Sequence, residues 1–144
     1  MKKHGNLTIF RYLMTIARRE GADSIKIRLI VSDGLNVAVS NIGGNTHLLP
    51  HKTVDVDADG DELKDAIVYA VEDLGLDVSK LGKYLGSREK NNGSGLIKCF
   101  DFEVFVKRKR VKGLKWMRKS DVEKFNLPVD ERRILRGYFR RERE

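Results

Sequence analysis

The densest group of potentially reactive side chains in this sequence is a run of acidic residues near its middle. Between Asp55 and Asp77 there are nine Asp or Glu residues and one Lys. Carboxylates in such numbers could bind a hard divalent cation, because Mg²⁺ and Ca²⁺ prefer oxygen ligands. The stretch DVDADGDE has the alternate aspartates and the glycine of the first half of a calcium loop. The twelfth residue of that loop would be Ala66 instead of a bidentate Glu, which argues against a calcium site.

Asp59, Asp61 and Glu62 are better explained as the start of a helix, which does not account for the acids that continue at Asp65, Glu72 and Asp73. Asp59 can cap its N-terminus with Glu62 three residues later, and Gly75 can end it. The helix dipole also favours acids in the first turn. The segment ELKDAIVYAVEDLG has one apolar stripe, formed by Leu63, Ala66, Ile67, Ala70, Val71 and Leu74.

A second set of chemically suggestive residues is basic and lies toward the C-terminus. The segment VKRKRVKGLKWMRK packs eight bases around Trp116. Such clusters attract phosphates, and an exposed aromatic ring can stack on a nucleobase. In the tail, four arginines would share one side of a helix. The predicted nucleic-acid-binding residues are Lys107, Arg108, Lys109, Arg110, Lys112, Arg132, Arg133, Arg136 and Arg140. The alternative is a solvated strand end beside a Trp116 that belongs to the core.

Composition agrees with one basic globular domain. The chain has 144 residues, a net charge of +8, a pI near 9.7 and 40% hydrophobic residues. This favours a folded protein with an anionic partner such as nucleic acid or a nucleotide. Cys99 is the only cysteine, so an internal disulfide is impossible. No apolar run approaches the ~20 residues of a membrane span, and Arg11 interrupts any signal-peptide pattern. We expect a cytoplasmic protein; the sequence leaves the oligomeric state open.

The elements that must position these residues begin with a helix and a hairpin. Leu7 to Glu20 has helical spacing. SIKIRLIVS, Ser24 to Ser32, alternates as a strand, and Asp33-Gly34 is a turn signal before LNVAVS. One face of the first strand is predicted to carry Ile25, Ile27, Leu29 and Val31.

The second half of the chain alternates strands with short helices. KLGKYLG is predicted to be a short strand, and Arg88 to Gly95 a polar, mobile loop. LIKCFDFEVFVK is predicted to be a long strand, Ser120 and Glu123 are predicted to form a capping box, and a last helix is expected to begin near Asp130. The strand's apolar face carries Phe100, Phe102, Val104 and Val106, and the last helix buries Ile134, Leu135 and Tyr138 or Phe139.

Together these segments resemble the Nudix hydrolase family. The run LLPHKTVDVDADGDELKDAIVYAVEDLGLDV is similar to the family's core, whose pattern is GX5EX7REUXEEXGU with U aliphatic. The preceding hairpin and the later KWMRKSDVEKFNLP also fit, so the resemblance covers Ser24 to Pro128. It implies an α/β fold: an α/β/α sandwich with a mixed sheet. One domain, 1–144, is expected, with an added N-terminal helix in 1–22, a core in 24–128 and a basic C-terminal helix in 129–144.

Aligning the pattern on Gly75 and Leu76 shows where this sequence departs from the family. Glu72 and Asp73 take the places of the paired glutamates, but Val68 and Tyr69 replace the Arg-Glu pair. The other substituted positions are Ala70 at the aliphatic site, Gly60 at the earlier Glu, Val54 at the first Gly, and Leu49, Pro50, His51 and Lys52 at the Leu-Pro-Gly-Gly turn.

The resemblance implies a Mg²⁺ or Mn²⁺ site made of carboxylates that acts on a diphosphate. In this sequence Glu72 and Asp73 fall on the family's paired glutamates and are catalytic if the protein is active. We predict Glu72, Asp73 and Glu103 as metal ligands in a different arrangement, with Glu62 or Asp65 as alternatives to Glu103. Because Arg-Glu is lost, our first hypothesis is a non-catalytic Nudix-like domain that binds nucleic acid or a nucleotide-containing assembly through its basic surface. The alternative is an active metal-dependent hydrolase of nucleoside diphosphate derivatives. A third possibility is a module that docks proteins, with Glu72 and Asp73 on a solvated helix face.

Overall fold

A computed structural model describes residues 2–93 and 95–142. Three α-helices, one 3₁₀ turn and seven strands follow each other along these residues. The helices are α1 (Lys2–Arg19), α2 (Gly60–Glu72) and α3 (Val129–Glu142), and the 3₁₀ turn is Lys119–Asp121. The strands are β1 (Ser24–Ser32), β2 (Val37–Gly43), β3 (Thr46–Leu48), β4 (His51–Val54), β5 (Val78–Asn92), β6 (Gly95–Val106) and β7 (Leu114–Met117).

The strands form one mixed sheet built around the parallel pair β1 and β6. This pair is in register from Ser24 opposite Ile97 to Ser32 opposite Phe105. The order across the sheet is β3-β2-β1-β6-β5, while β4 pairs with β1 and β7 pairs with β2. All pairs other than β1 and β6 are antiparallel. A central parallel pair is normally covered on both faces.

Helices cover both faces of this sheet, which gives an α/β/α sandwich. On one face the predicted apolar residues of β1 and β6 pack against α1 and α2. On the other face a smaller apolar cluster joins β1, β2 and β7 to α3, which buries Leu135, Tyr138 and Phe139. Of the residues predicted to face inward, Ile134 is only partly buried. The α/β/α arrangement expected from the sequence is therefore confirmed.

Helix α2 has the boundaries that its sequence encodes. The carboxylate of Asp59 accepts a hydrogen bond from Glu62 N (2.9 Å), and Glu62 Oε1 accepts one from Asp59 N (3.2 Å). This is the predicted capping box. Beyond the helix, Gly75 has a φ of +86°, a left-handed conformation that glycine adopts without steric cost.

The segment predicted to be a polar loop, Arg88 to Gly95, is instead mostly strand. Arg88 pairs with Cys99, and the ladder continues to Asn92 opposite Gly95 at the end of a β5–β6 hairpin. The prediction was wrong because the strand is defined by pairing with β6, a contact that local composition does not reveal. Within the described ranges, none of the helices combines the length and hydropathy needed to cross a bilayer.

Candidate functional site

The two carboxylates implied by the family resemblance lie at the C-terminal end of α2. Glu72 is its last residue and Asp73 is its C-cap, and both are exposed. The Asp73 side chain is 71% exposed, and its Oδ2 lies 3.4 Å from Lys52 Nζ. Asp73 and Lys52 line a depression of about 230 Å³ beside the segment Leu49–Lys52. The end of α2 and the segment Leu49–Lys52 are thus neighbours.

Glu103 lies away from the end of α2, and both of its carboxylate oxygens already accept hydrogen bonds. It is buried in β6, where its Oε2 accepts a hydrogen bond from Tyr138 Oη (2.7 Å) and its Oε1 accepts one from Lys83 N (3.1 Å). Tyr138 belongs to α3, so the Glu103 side chain lies on the opposite face of the sheet from α2. A Cβ at Gly82 would lie 2.5 Å from Glu103 Oε1, so a glycine is needed beside it.

The three predicted metal ligands are therefore not brought together. Among residues with described side chains, no group of three or more His, Cys, Asp or Glu could hold a metal ion. Glu72 and Asp73 are two exposed carboxylates, and Mg²⁺ requires near-octahedral oxygen coordination. The residues present do not fit the Mg²⁺ or Mn²⁺ site that the resemblance implies.

A charged cavity that the sequence analysis did not identify lies between the sheet and the start of α3. Its volume is about 360 Å³, within the range of small-molecule sites. Strands β1, β5 and β6 supply its floor, and the turn before β4 and the first turn of α3 supply its walls. The lining residues are Lys26, Arg28, Leu48, His51, Arg88, Lys90, Cys99, Pro128, Asp130 and Glu131.

Two arginines in this cavity are held by an ion-pair network. Arg28 Nε and Nη2 donate to the two carboxylate oxygens of Asp101 at 3.0 and 3.1 Å, a bidentate pair that is almost fully buried. Asp130 Oδ2 accepts from Arg28 Nη1 (3.1 Å) and from Arg88 Nη1 (2.9 Å). Since Asp130 belongs to α3, the network ties the first turn of that helix to β1 and β5.

The network favours the ionised form of Asp130. Burial opposes the charge of Asp130, but Arg28, Lys90 and Arg88 outweigh it and lower the pKa of this carboxyl. The neighbouring Glu131 differs, since burial dominates and raises its pKa. Asp101 and Asp130 largely neutralise the two arginines. Lys26 makes no ion pair within the described residues. The Nζ atom of Lys90 lies 3.9 Å from Asp130 Oδ2, and the Lys90 side chain is 55% exposed. Both lysines are therefore able to contact an anionic ligand.

A sequence signal for this cavity exists on the strand positions opposite the apolar face. Lys26 and Arg28 alternate with the buried isoleucines of β1, and Asp101 and Glu103 alternate with the phenylalanines of β6. Charged residues are costly on a covered face unless they are paired. Recognising that β1 and β6 form the central parallel pair would have indicated a buried polar network.

The predicted basic segment is exposed at the other end of β6. Lys107, Arg108, Lys109, Arg110 and Lys112 are all exposed and make no ion pair within residues 9–93 and 95–140. The Arg108 guanidinium lies 6.0 Å from the centre of the Trp116 ring, at cation–π distance. Trp116 Nε1 donates to the carbonyl oxygen of Lys109 (3.0 Å), which holds the segment against β7.

The four predicted arginines of α3 do not form a free stripe. Arg132 Nη2 donates to the Phe125 carbonyl (2.9 Å), and its Nε is buried without a partner among the described atoms. Arg136 forms a two-fold hydrogen-bonded pair with Glu123 at 2.6 and 2.5 Å. The hydrogen bond from Arg136 lowers the Glu123 pKa. Only Arg133 and Arg140 are exposed without an ion pair in the part of the chain described.

Comparison with solved structures establishes the fold. The domain superposes on the Nudix domain of Shewanella oneidensis NrtR complexed with ADP ribose with a TM-score of 0.63 and 13% identity, covering 86% of this chain and 91% of that one. A Nudix family hydrolase from Clostridium perfringens gives a TM-score of 0.60 and 10% identity over 78% and 93% of the two chains.

A protein of Sinorhizobium meliloti 1021 gives a TM-score of 0.67 and 16% identity over 91% of this chain. This chain spans only 43% of that protein's length. No protein-family model and no curated protein sequence matches this chain. The identities are too low to carry more than architecture, but the architecture agrees with the layers and strand pairing described above. The chain therefore has a Nudix-like fold.

Proposed function

We propose that this domain binds a phosphorylated nucleotide without hydrolysing it, in the charged cavity between the sheet and α3. The proposal rests on one observation: Lys26 and Lys90 line a cavity large enough for a small-molecule ligand. The bound arginines beneath them are already oriented by Asp101 and Asp130. A ligand phosphate would therefore meet two lysines in a site whose other charged side chains are already held in place, and such preorganisation lowers the cost of binding.

The similarity to the NrtR Nudix domain supports a nucleotide as the ligand. That protein has the same fold and was crystallised with ADP ribose. A diphosphate suits the cavity because its negative charge would complement Lys26 and Lys90. ADP-ribose is therefore the first probe, and ADP tests whether the second ribose matters.

The arrangement of carboxylates supports the non-catalytic part of the proposal. Glu103 is committed to Tyr138 and Lys83 on one face of the sheet, whereas Glu72 and Asp73 end a helix on the other face. Tyr69 is 54% exposed at the place of the family's glutamate. These positions supply two exposed carboxylates and no third ligand beside them.

Isothermal titration calorimetry with ADP-ribose and ADP tests the binding. We expect saturable binding that weakens at least about tenfold in a Lys26→Ala/Lys90→Ala variant, because a hydrogen bond to a charged group is worth ~1.5–3 kcal/mol. Lys83→Ala is the matched control, since Lys83 is exposed on the same strand as Lys90 but does not line the cavity. Equal affinity in the double variant, or no binding of either nucleotide, would refute the proposed site.

The hydrolase alternative is tested on the same samples with Mg²⁺ or Mn²⁺. We expect ADP-ribose, other nucleoside diphosphate derivatives and capped RNA to remain intact when analysed by chromatography. Turnover by the wild type that disappears in Glu72→Gln would show a working carboxylate site at the end of α2. That result would make the protein an enzyme and overturn the non-catalytic proposal while leaving the fold unchanged.

A further inference from the structure

We infer that the basic segment Lys107–Lys112, together with Trp116, forms a binding surface for single-stranded nucleic acid. This surface is separate from the charged cavity. The cavity is lined by Cys99 in the first half of β6, whereas Lys107 follows the last residue of that strand. Eight residues of strand at about 3.3 Å each place them roughly 26 Å apart along β6.

The first support is that the five basic side chains of this segment are exposed and have no acidic partner among the described side chains. By contrast, Arg28, Arg88 and Arg136 are each paired with an acid. A solvated segment with this density of free charge binds phosphates by releasing their counterions.

The second support is the aromatic rings among these cations. Arg108 lies over Trp116, and Lys115 Nζ lies 5.9 Å from the centre of the Phe125 ring. Both rings are partly exposed. The indole N–H is satisfied by Lys109, so Trp116 is held in one orientation. A fixed aromatic ring beside a guanidinium is a surface on which a nucleobase can stack.

The third support is the shape of the surface. Three shallow depressions of about 400 to 440 Å³ adjoin each other, and Arg108 lines all three. One extends along Lys107 to Asp77, one along Arg110 and Leu114, and one past Trp116 to Phe125. They form an open basic groove rather than a closed pocket, as a flexible polynucleotide strand requires.

The geometry favours a single strand over a duplex. Duplex recognition in the major groove requires a projecting helix or a two-stranded ribbon. Two helices are rich in bases. Helix α1 packs on the core, and its Arg18 donates to the carbonyls of Val56 and Ala58. In α3, two of the four predicted arginines are engaged by Glu123 and by the Phe125 carbonyl. Base stacking on Trp116 is possible only where the base is not already stacked in a duplex.

Fluorescence anisotropy with labelled oligonucleotides tests the inference. The probes are oligo(U) and oligo(dT) of about twelve residues, near the upper end of common single-strand site sizes, and a duplex of the same length. We expect both single strands to bind more tightly than the duplex. Affinity should fall with KCl with a log–log slope of about −0.7 for each phosphate neutralised. Comparing oligo(U) with oligo(dT) distinguishes an RNA ligand from a DNA ligand.

Two double variants with equal charge loss locate the surface. Arg108→Ala/Arg110→Ala removes cations from the groove, and Arg133→Ala/Arg140→Ala removes exposed cations from α3. We expect the first to weaken oligo(U) binding about tenfold and to flatten the salt slope by about 1.4, and the second to change affinity less than about twofold. Trp116 is the only tryptophan, so quenching of its fluorescence on binding reports base stacking directly.

Three outcomes would overturn the inference: equal losses in the two variants, tighter binding of the duplex, or no binding of any oligonucleotide at low salt. Equal losses would mean that net charge alone attracts the strand. Because the probes carry no nucleoside diphosphate and the variants lie outside the cavity, these failures leave the proposed nucleotide site untouched.

Discussion

The carboxyl of Glu131 joins the turn before β4 to the first turn of α3. Its Oε1 accepts a hydrogen bond of 2.7 Å from Leu49 N, and the residue is only 8% exposed. Burial raises the pKa of this carboxyl above its ordinary value of 4.5, although the Leu49 N–H and Arg28 act in the opposite direction. An acid with a raised pKa in the folded state stabilises the fold when protonated. That contribution is lost as the pH rises through the folded pKa.

We therefore predict a pH-dependent effect of Glu131→Gln. The amide oxygen can still accept from Leu49 N, but no charge develops in the buried site. Relative to wild type, the free energy of unfolding of the variant should increase as the pH rises from below 4.5 toward neutrality. Urea unfolding across a pH series measures this difference. A difference that stays constant or decreases with pH would show that burial does not control this group.

Glu123→Gln provides a control of opposite sign. Arg136 lowers the pKa of Glu123, so this carboxylate stabilises the fold when ionised. The stability of the variant relative to wild type should then decrease as the pH rises through the range in which Glu123 ionises. Opposite trends in the two variants would assign each effect to its own group rather than to a general response to acid.

Among the helices, the crossing of α1 over α2 depends on Gly60. A Cβ at this position would lie 2.7 Å from Arg11 Cγ and 2.9 Å from Arg11 N. The second contact is with backbone, so a side-chain adjustment cannot relieve it. Arg18 adds a connection from α1, because its Nη1 donates to the carbonyl oxygens of Val56 and Ala58 just before α2.

We predict that Gly60→Ala destabilises the domain by about 1–3 kcal/mol, because the two helices must separate to accommodate the methyl group. Chemical denaturation monitored by circular dichroism measures the loss. Gly93→Ala is the matched control, since a Cβ there meets no atom within 4 Å. Equal stability of the two variants would mean that α1 packs on α2 less closely than these distances require.

Elements encoded by local signals could be predicted from the sequence, and elements defined by distant pairing could not. The α2 stripe, the Asp59–Glu62 box and the β1 alternation all depend on neighbours within a few residues, and all three were predicted. The extension of β5 through Arg88–Asn92 depends on β6. The charged cavity requires three strands and α3 to meet, so its residues look unrelated in the sequence. The exposure of the basic segment around Arg108 was predicted, but the engagement of Arg132 and Arg136 was not.

In the molecule as a whole, β6 separates the two proposed ligand surfaces. Near the middle of this strand, Cys99 lines the charged cavity and Asp101 pairs with Arg28 of the cavity, and the basic segment follows the last residue of the strand, Val106. The strand is paired along its length with β1 on one side and with β5 on the other, with irregularities confined to the β5 side. A strand held in this way is a rigid spacer between the cavity and the groove.

This rigidity leads to a prediction that nucleotide and oligonucleotide bind independently. Saturating ADP-ribose should change the affinity for oligo(U) by less than about twofold, because a coupling free energy requires an element with two arrangements that both ligands bias. The cavity variant Lys26→Ala/Lys90→Ala should leave oligo(U) binding intact, and Arg108→Ala/Arg110→Ala should leave ADP-ribose binding intact. Effects of sites this far apart should also add when all four substitutions are combined. A change of tenfold or more in the affinity for either ligand would instead identify β6 or α3 as an element with two arrangements. A bound nucleotide would then control the affinity for nucleic acid through that element.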